Sequence, residues 1–369
     1  RQSELAELSR VYDSSALSNR NIVINGGMTV AQRSSSTVTV SDGSNEGYAT
    51  VDRFELRFNA TAGGAIEMSQ STDTPDGFGN SVKLKCSTSD SAHTGTQAIY
   101  LGQRIEAQNL QQLGYGSSGA KQMTLSWYMK TVSYTDPISI ALETKDGTQE
   151  YYVKSYTPTT SWARYTCTIP ASTSATINND TGNGMEVKFV IAGTSGGTHA
   201  ASSDSTAWST TRADYRNDIG NFVASTSNEI YITGVQLEVG DSATPFEHPR
   251  SYGDELQRCM RYCQNLSAIT NNPYLGNAAV HSSTVMTAII NLGVQMRTTP
   301  TVTLSGTAGN YSTYEKATAR TATAYSSNGF GASGGGINFT VASGLTVGSA
   351  AGVYINSGAD TKSIIEAEL

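Results

Sequence analysis

From Asn21 onward, apolar and polar residues alternate along most of the chain. The segments "AIEMSQS", "SVKLKCS", "QMTLSWYMKTV" and "EIYITGVQLEV" show the two-residue period that a strand with one buried face requires. Clusters of turn-forming residues such as "TPDGFGN" and "NNDTGNG" separate these segments. About ten strands without crossover helices between them predict an all-β jelly-roll β-sandwich over residues 21–250 and exclude a parallel α/β fold.

Two short helical patterns flank this region. Leu5, Leu8 and Tyr12 are spaced by three and four residues, which predicts a stalk or attachment segment over residues 1–20. A frayed tail is the alternative, because so short a helix is marginal alone. After the second proline of "ATPFEHPR", acidic residues in a first turn and apolar residues at helical spacing predict a connecting helix over residues 251–265.

Residues 266–369 form a second β region, with "VMTAIINLGVQM", "TPTVTLSG" and "GINFTVASG" as its clearest strands. We predict a smaller C-terminal β-sandwich that forms a tip domain. This region carries only eight charged residues, four of each sign, so its surface must consist largely of hydroxyls, amides, glycine and tyrosine. We expect such a neutral domain to bury part of its side wall against copies of itself.

The composition narrows the class of function. Serine and threonine together number 92 of the 369 residues, and only 15% of residues are charged, against roughly 25% in an average globular protein. The net charge of −7 and the absence of any basic run exclude a nucleic-acid binder, which needs clustered Lys and Arg. No apolar stretch approaches the length of a membrane span, so we predict no membrane insertion.

Cys259 and Cys263 raise the question of a metal or redox site. Two thiols four residues apart, with His248 nearby, could supply part of a zinc site, but no second ligand pair follows at a usable spacing. A small apolar stripe that buries both thiols is the better interpretation. We therefore expect no cofactor from these residues.

Three patterns bear on hydrolase chemistry. Ser195 in "GTSGG" occupies the nucleophile position of the G-x-S-x-G motif, and "VGDSATP" contains the Gly-Asp-Ser triplet of one esterase class. Neither pattern leads into a predicted helix, and such matches arise by chance in a chain this rich in glycine and serine. A glycosidase would need two facing carboxylates, which a sequence alone cannot pair. We predict that the protein is not an enzyme.

Aromatic residues in polar loops are the stronger candidates, because an aromatic ring can stack on a sugar ring while neighbouring polar groups bind its hydroxyls. In "DSTAWSTTRADYRND" these candidates are Trp208, Tyr215, Asp204 and Arg212. The alternative for Trp208 is a plug at one end of the sandwich. We interpret Trp127 as a core residue and Trp162 as structural, since each accompanies a predicted strand.

A second set of candidates lies in "NYSTYEKATARTATAYSSNGFG" of the C-terminal domain. Tyr311, Tyr314 and Tyr325 stand there among serine, threonine and glycine. Tyrosine offers a large contact area at low entropy cost together with a polar tip, so such a segment suits recognition. Ordinary filling of turns and strand edges is the alternative.

Four segments together resemble a module of phage tail-fibre and other virion-appendage proteins, which contains a jelly roll like that of carbohydrate-binding modules. They span about residues 21–265 and are "NIVINGGMTVAQRSS", "YATVDRFEL", "TLSWYMKT" with "TSWARYTCTIPA", and "ITGVQLEVGDSATPFEHPRSYGDELQRCMRYCQ". One departure is Cys263, where that family often has an aromatic residue. The final "GADTKSIIEAEL" is similar to the last strand of many fibre tips.

The resemblance implies a homotrimeric fibre on the virion surface, and it does not imply catalysis. The partners implied are other virion proteins, through residues 1–20, and a host-surface polysaccharide or receptor. A structural calcium ion is compatible with such jelly rolls, although no acidic cluster identifies its ligands. Two alternatives remain open: a capsid-bound fibre or decoration protein, and a glycan-degrading depolymerase appendage.

Overall fold

A computed structural model describes residues 20–266, 274–304, 307–356 and 363–369. The predicted stalk helix lies outside the described residues. The chain divides into two compact units between Glu255 and Leu256, with Leu369 assigned to the first. Within the described part, no helix combines the length and the apolar character needed to cross a membrane.

The first unit is an antiparallel sandwich of two sheets, apart from one two-residue parallel pair. One sheet has the strand order β1-β3-β4-β13-β6-β9 and the other has the order β2-β5-β10-β7-β8, while β11 and β12 form the parallel pair. The strands of this unit are β1 (Val38–Ser41), β2 (Glu55–Asn59), β3 (Ala65–Ser71), β4 (Ser81–Thr88), β5 (Ala98–Glu106), β6 (Met123–Val132), β7 (Ile138–Thr144), β8 (Tyr151–Tyr156), β9 (Ala163–Ile169), β10 (Asn183–Gly193), β11 (Ala200–Ala201), β12 (Tyr215–Arg216) and β13 (Glu229–Val239).

The apolar and polar residues that alternate in the sequence lie on opposite faces of each sheet. Inward side chains of both sheets form one large apolar cluster around the fully buried Trp127. The ring of Trp127 stacks on Tyr165 and meets Phe189 edge-on, each at a centroid distance of 5.6 Å. The predictions of an all-β jelly-roll sandwich and of a core position for Trp127 are therefore confirmed.

Side-chain amides attach the first described segment, residues 20–33, to the sandwich. The Gln103 side chain accepts from the Ile24 N–H and donates to the Ile24 carbonyl, each at 2.8 Å, as a neighbouring strand would. Asn21 donates to the Val235 carbonyl at 3.0 Å and accepts from the Leu237 N–H at 3.0 Å. Because these bonds satisfy backbone groups in a buried, irregular segment, they replace the ladder that a strand would provide.

Short helices join the strands. Helix α1 (Tyr252–Met260) has Ser251 at its N-terminus, where the hydroxyl accepts from the Asp254 N–H at 3.2 Å. The helix ends before Cys263, which begins the next strand, so the two thiols do not share a helical face as the sequence suggested. The 3-10 helices are Ala107–Leu113, Phe222–Ala224 and Ala308–Asn310.

The second unit is built around a closed barrel with the strand order β15-β16-β20-β19-β18-β21, beside a three-stranded sheet β14-β22-β17. The predicted smaller β-sandwich is therefore all-β as expected, but its main sheet closes on itself. Its strands are β14 (Cys263–Asn265), β15 (Tyr274–Val280), β16 (Val285–Asn291), β17 (Thr301–Leu304), β18 (Tyr311–Glu315), β19 (Thr318–Gly331), β20 (Gly334–Val341), β21 (Ala350–Ile355) and β22 (Ser363–Glu366).

We expect Asn25→Asp to destabilise the first unit by about 3 kcal/mol or more at neutral pH. Asn25 is fully buried, and its amide nitrogen donates to the carbonyls of Val30 and Asp52, each at 2.9 Å. A carboxylate cannot donate and would place a charge against both oxygens. Urea denaturation measures the loss. The exposed Asn109→Asp is the matched control, and an equal effect of both substitutions would contradict this role for Asn25.

Candidate functional site

The structure separates the four candidates of the loop that precedes and includes β12. The Trp208 indole N–H donates to the Pro170 carbonyl at 2.7 Å, and its ring packs against the main core beside Tyr115 and Tyr152. Tyr215 is fully buried beneath the same loop, and its hydroxyl accepts from the Thr194 N–H at 3.3 Å. Tyr215 therefore presents no ring face to a ligand. Trp208 is half-buried and packs in the way that the plug alternative predicts.

The two charged candidates of this loop are engaged in ion pairs. Asp204 accepts from the Arg216 Nε at 2.8 Å and from the Ser155 N–H at 3.0 Å, which fastens the loop to β8. Arg212 is exposed and pairs with Asp214 at 2.9 Å. These contacts hold the loop against the outer face of the five-stranded sheet and do not bring the candidates together.

In the barrel, alternation along β18 decides which tyrosines face solvent. Tyr311 is fully buried in the barrel core, where its hydroxyl shares a hydrogen bond with Ser363 at 3.1 Å. Tyr325 is half-buried, and its hydroxyl donates to the Leu304 carbonyl. Tyr314 has the opposite phase on β18 and is 40% exposed. Of the three predicted tyrosines, only Tyr314 offers its ring to solvent.

A site that the sequence analysis missed lies on the outer face of the six-stranded sheet. Lys83, Tyr231 and Lys130 stand opposite one another on β4, β13 and β6, and Trp162 follows at the start of β9. The Lys130 ammonium lies 5.7 Å from the Trp162 ring and 4.9 Å from the Tyr231 ring, so cations and aromatic rings alternate across the sheet.

Hydrogen bonds orient Trp162 on this face. Its indole N–H donates to Asp73 at 3.1 Å, and the same carboxylate pairs with Lys130. The bond from Lys130 lowers the pKa of Asp73, despite the opposing effect of partial burial, so the carboxylate stays charged at neutral pH. Trp162 remains half-buried with a fixed edge, which leaves part of the ring accessible at low entropic cost on binding.

A second group of rings extends this surface. Phe78 and Tyr128 lie 5.1 Å apart over Gly234, where the backbone of β13 has a φ of +61°. A Cβ at Gly234 would come within 2.8 Å of both rings, so the glycine forms the seat on which they rest. Phe246 lies 5.0 Å from Phe78. We name the five rings together the aromatic face: Phe78, Tyr128, Trp162, Tyr231 and Phe246.

The sequence did contain a signal for the aromatic face. In "WARYTCTI", Tyr165, Cys167 and Ile169 alternate into the core, which places Trp162 in the same phase as the polar Arg164. An aromatic residue in the polar phase of a strand points to solvent. Tyr128 follows the same rule on β6 and is half-buried. Tyr231 has the same phase on β13, but Lys83 and Lys130 lie over its ring and leave it only 6% exposed.

Part of the outer face of the five-stranded sheet carries charged side chains beside Tyr100. Lys188 lies between Glu143 and Glu186, with Nζ–carboxylate distances of 2.7 and 2.8 Å. Burial alone would lower the pKa of Lys188, but the two carboxylates outweigh it and raise that pKa. Burial would likewise raise the pKa of Glu186, and the charges of Lys188 and Lys145 turn the change into a decrease. These four side chains, Glu143, Lys145, Glu186 and Lys188, form a satisfied ion-pair network.

The positions relevant to metal or hydrolase chemistry offer little support for either. Across the described ranges, no group of three His, Cys, Asp or Glu residues could hold a metal ion, and all four cysteines are buried. Burial raises the pKa of the Cys86 and Cys167 thiols. Ser195 lies in turns after β10, and β11 follows instead of a helix. It therefore lacks the strand-to-helix turn of a nucleophile elbow.

No family profile and no curated protein matches this sequence. Among solved structures, the chain is similar to the enzymatically active domain of tailspike protein 4 of bacteriophage CBA120. The identity is 13%, the TM-score is 0.31, and the match covers 60% of this chain and 22%, about a fifth, of that one.

The chain is also similar to two carbohydrate-binding modules of Clostridium thermocellum. One is the family 11 module of the cellulase Lic26A-Cel5E, with 12% identity, a TM-score of 0.29 and coverage of 57% and 99% of the two chains. The other is the C-terminal family 22 module of Xyn10B, with 15% identity, a TM-score of 0.27 and coverage of 54% and 99%. Scores at this level assign no function.

We expect Lys188→Met to reduce the free energy of unfolding by about 3 kcal/mol at pH 7, because it removes the buried cation between two carboxylates and leaves only the partly exposed Lys145 and Arg104 beside them. Glu143 and Glu186 are direct cross-strand partners, so the pKa of Glu186 should rise in the variant. Protonation then relieves the repulsion, and the deficit should shrink as the pH falls toward 4. Urea denaturation at several pH values measures this.

The direction of this pH dependence follows from the lowered pKa of Glu186. Its pKa is lowered in the folded wild type, so its contribution to stability is present above the unfolded pKa and is lost as the pH falls through the folded value. The wild type should therefore lose stability on acidification while the variant's deficit narrows. Exposed Lys121→Met is the control, and a deficit independent of pH would contradict the network.

Proposed function

We propose that this protein is a non-catalytic, adhesive component of a phage virion appendage that binds host-surface polysaccharide through the aromatic face. The observation that carries the proposal is the set of rings on the solvent side of the six-stranded sheet, with Trp162 oriented by Asp73. Four of the five rings, Phe78, Tyr128, Trp162 and Phe246, are half-buried, and Tyr231 is buried beneath Lys83 and Lys130. Neighbouring aromatic rings that are partly exposed on the outer surface of a sandwich commonly mark a binding site.

The chemistry of the aromatic face suits a sugar. The apolar C–H face of a pyranose ring packs on an aromatic ring, and its hydroxyls need nearby donors and acceptors. Lys130 and Asp73 lie beside Trp162, and the Arg164 guanidinium lies 5.9 Å from the Tyr128 ring. Such charged groups form strong hydrogen bonds with hydroxyls. Rings and polar groups therefore alternate at the spacing of neighbouring strands.

The virion location is supported by the sequence segments that resemble appendage modules. Several of their residues are architectural here, because Asn21 and Asn25 fasten the first segment to β13 and to its own turn. Such residues specify the scaffold and leave the ligand to the exposed faces. A capsid-bound fibre and a tail fibre would share this scaffold.

We expect Trp162→Ala to weaken polysaccharide binding by roughly 30-fold, since truncation of a central aromatic anchor costs about 2 kcal/mol. Titration calorimetry on the best ligand from an array of bacterial polysaccharides measures the change. Thr166→Ala is the control, because Thr166 is an exposed hydroxyl on the same outer face, opposite Ser126. Unchanged affinity of Trp162→Ala would exclude the aromatic face as the binding site.

Release of reducing sugar ends from the bound polysaccharide would separate adhesion from degradation. The proposed adhesin binds without releasing ends over hours of incubation. If ends accumulate, and an Asp or Glu substitution abolishes their release without abolishing binding, the protein is a depolymerase and the non-catalytic proposal fails.

We further propose that the protein is a homotrimer, as the resemblance to fibre modules implies. Light scattering on the full chain tests this directly. Three copies of the 39.0 kDa chain weigh about 117 kDa, and that mass is the expected result. A mass near that of one chain at micromolar concentration would remove the trimer from the proposal.

A further inference from the structure

The outer wall of the barrel carries a group of tyrosines around a glycine. Register aligns Asn277, Gly352, Tyr314 and Ala319 in one row across β15, β21, β18 and β19. The next row holds Tyr274, Tyr354, Ser312 and Thr321 on the same four strands. The seven side chains at these eight positions lie in the outward phase of their strands, and none of them is charged.

Gly352 creates the space in which the rings lie. A Cβ at this position would come within 2.7 Å of the Tyr274 ring, so the ring rests directly on the backbone of β21. Tyr354 lies beside it, with ring centroids 5.8 Å apart. Tyr314 is the immediate neighbour of Gly352 on the other side, since adjacent strands are separated by about 4.8 Å. The Tyr274 ring thus lies on the glycine with Tyr354 beside it, and register places Tyr314 on the adjacent strand.

The exposure of this group is unusual for tyrosine in a sheet. Tyr274 is 62% exposed and Tyr314 is 40% exposed, although both lie in the β ladder. A ring supported from below by backbone and open above is pre-organised for stacking, because its rotamer is already restricted. We name Tyr274, Tyr314, Tyr354, Gly352 and Asn277 the tyrosine wall.

We propose that the tyrosine wall is a second carbohydrate site and that it takes an uncharged pyranose of a neutral polysaccharide. The phenol rings supply the stacking surface, and their hydroxyls, with the exposed amide of Asn277, supply polar partners for sugar hydroxyls. The absence of charge at these eight positions favours a neutral sugar over a uronate. The inference extends the proposed adhesion to the second unit and rests on different residues.

The test uses the full chain and affinity electrophoresis in native gels that contain one polysaccharide each. The neutral probes are dextran, mannan, galactan and xylan, and the acidic probes are alginate and polygalacturonate. A Trp162→Ala background weakens the aromatic face. In that background we expect one or more neutral probes, and no acidic probe, to retard the protein.

Gly352→Ala is the most specific variant, because it removes no exposed atom. Its added Cβ only displaces the Tyr274 ring from the backbone of β21. We expect Gly352→Ala and Tyr274→Ala to reduce the remaining affinity on the order of tenfold or more. Tyr274→Phe keeps the ring and should keep most of the binding. Gly309→Ala is the matched control, since a Cβ there would meet its nearest neighbour at an ordinary 3.6 Å.

Each alternative outcome has a distinct meaning. Loss of all retardation in Trp162→Ala alone overturns the second site and leaves the aromatic face intact. Full binding by Trp162→Ala with loss in Tyr274→Ala supports the tyrosine wall and refutes the aromatic face. Unchanged binding in Gly352→Ala overturns the inference. So does an altered mass of Tyr274→Ala in light scattering, because the wall would then be a contact between copies of the chain.

Discussion

The sandwich depends on the contact between its first described segment and its closing strand. Gly26 passes so close to β13 that a Cβ would lie 2.0 Å from the Val235 carbonyl oxygen. Val235 donates to the Gly26 carbonyl at 2.9 Å, and Ile22 donates to Leu237 at 2.9 Å. Because β13 lies between β4 and β6 in the centre of its sheet, this contact fixes the strand that carries Tyr231 and the bulge beneath Phe78. The scaffold and the aromatic face therefore share one support.

Much of the fold was predictable because alternation is a local property. The period of two located the strands and placed Trp127 in the core, and the prolines after β13 marked the end of the sandwich. Closure of the barrel was not predictable, because it depends on which first and last strands pair, and alternation is the same in a sandwich and a barrel. The break after Met260 was missed because Cys263 continues a helical spacing while its backbone pairs with β22.

The candidate site was harder to predict, because an aromatic residue in a polar loop need not be exposed. Its inward or outward position in the alternation of a strand is more informative. Trp208 lies in a polar loop, yet that loop folds back and its indole bonds to Pro170. Trp162 adjoins a strand in its polar phase, and its half-buried ring lies beside Lys130. Loop folding depends on long-range contacts, whereas phase is readable from the sequence. Phase is therefore the better guide to surface rings in a β protein.

The uncharged character of the tyrosine wall sets the environments in which it can work. Electrostatic attraction is screened over about 10 Å at 0.1 M ionic strength and about 3 Å at 1 M, so contacts between exposed charges weaken as water becomes saltier. The rings of Tyr274 and Tyr314 carry no charge, so ionic screening does not weaken stacking on them. A contact made there would hold equally in fresh water, seawater or brine, and the ion pairs buried beside Lys188 would be largely shielded from the same change.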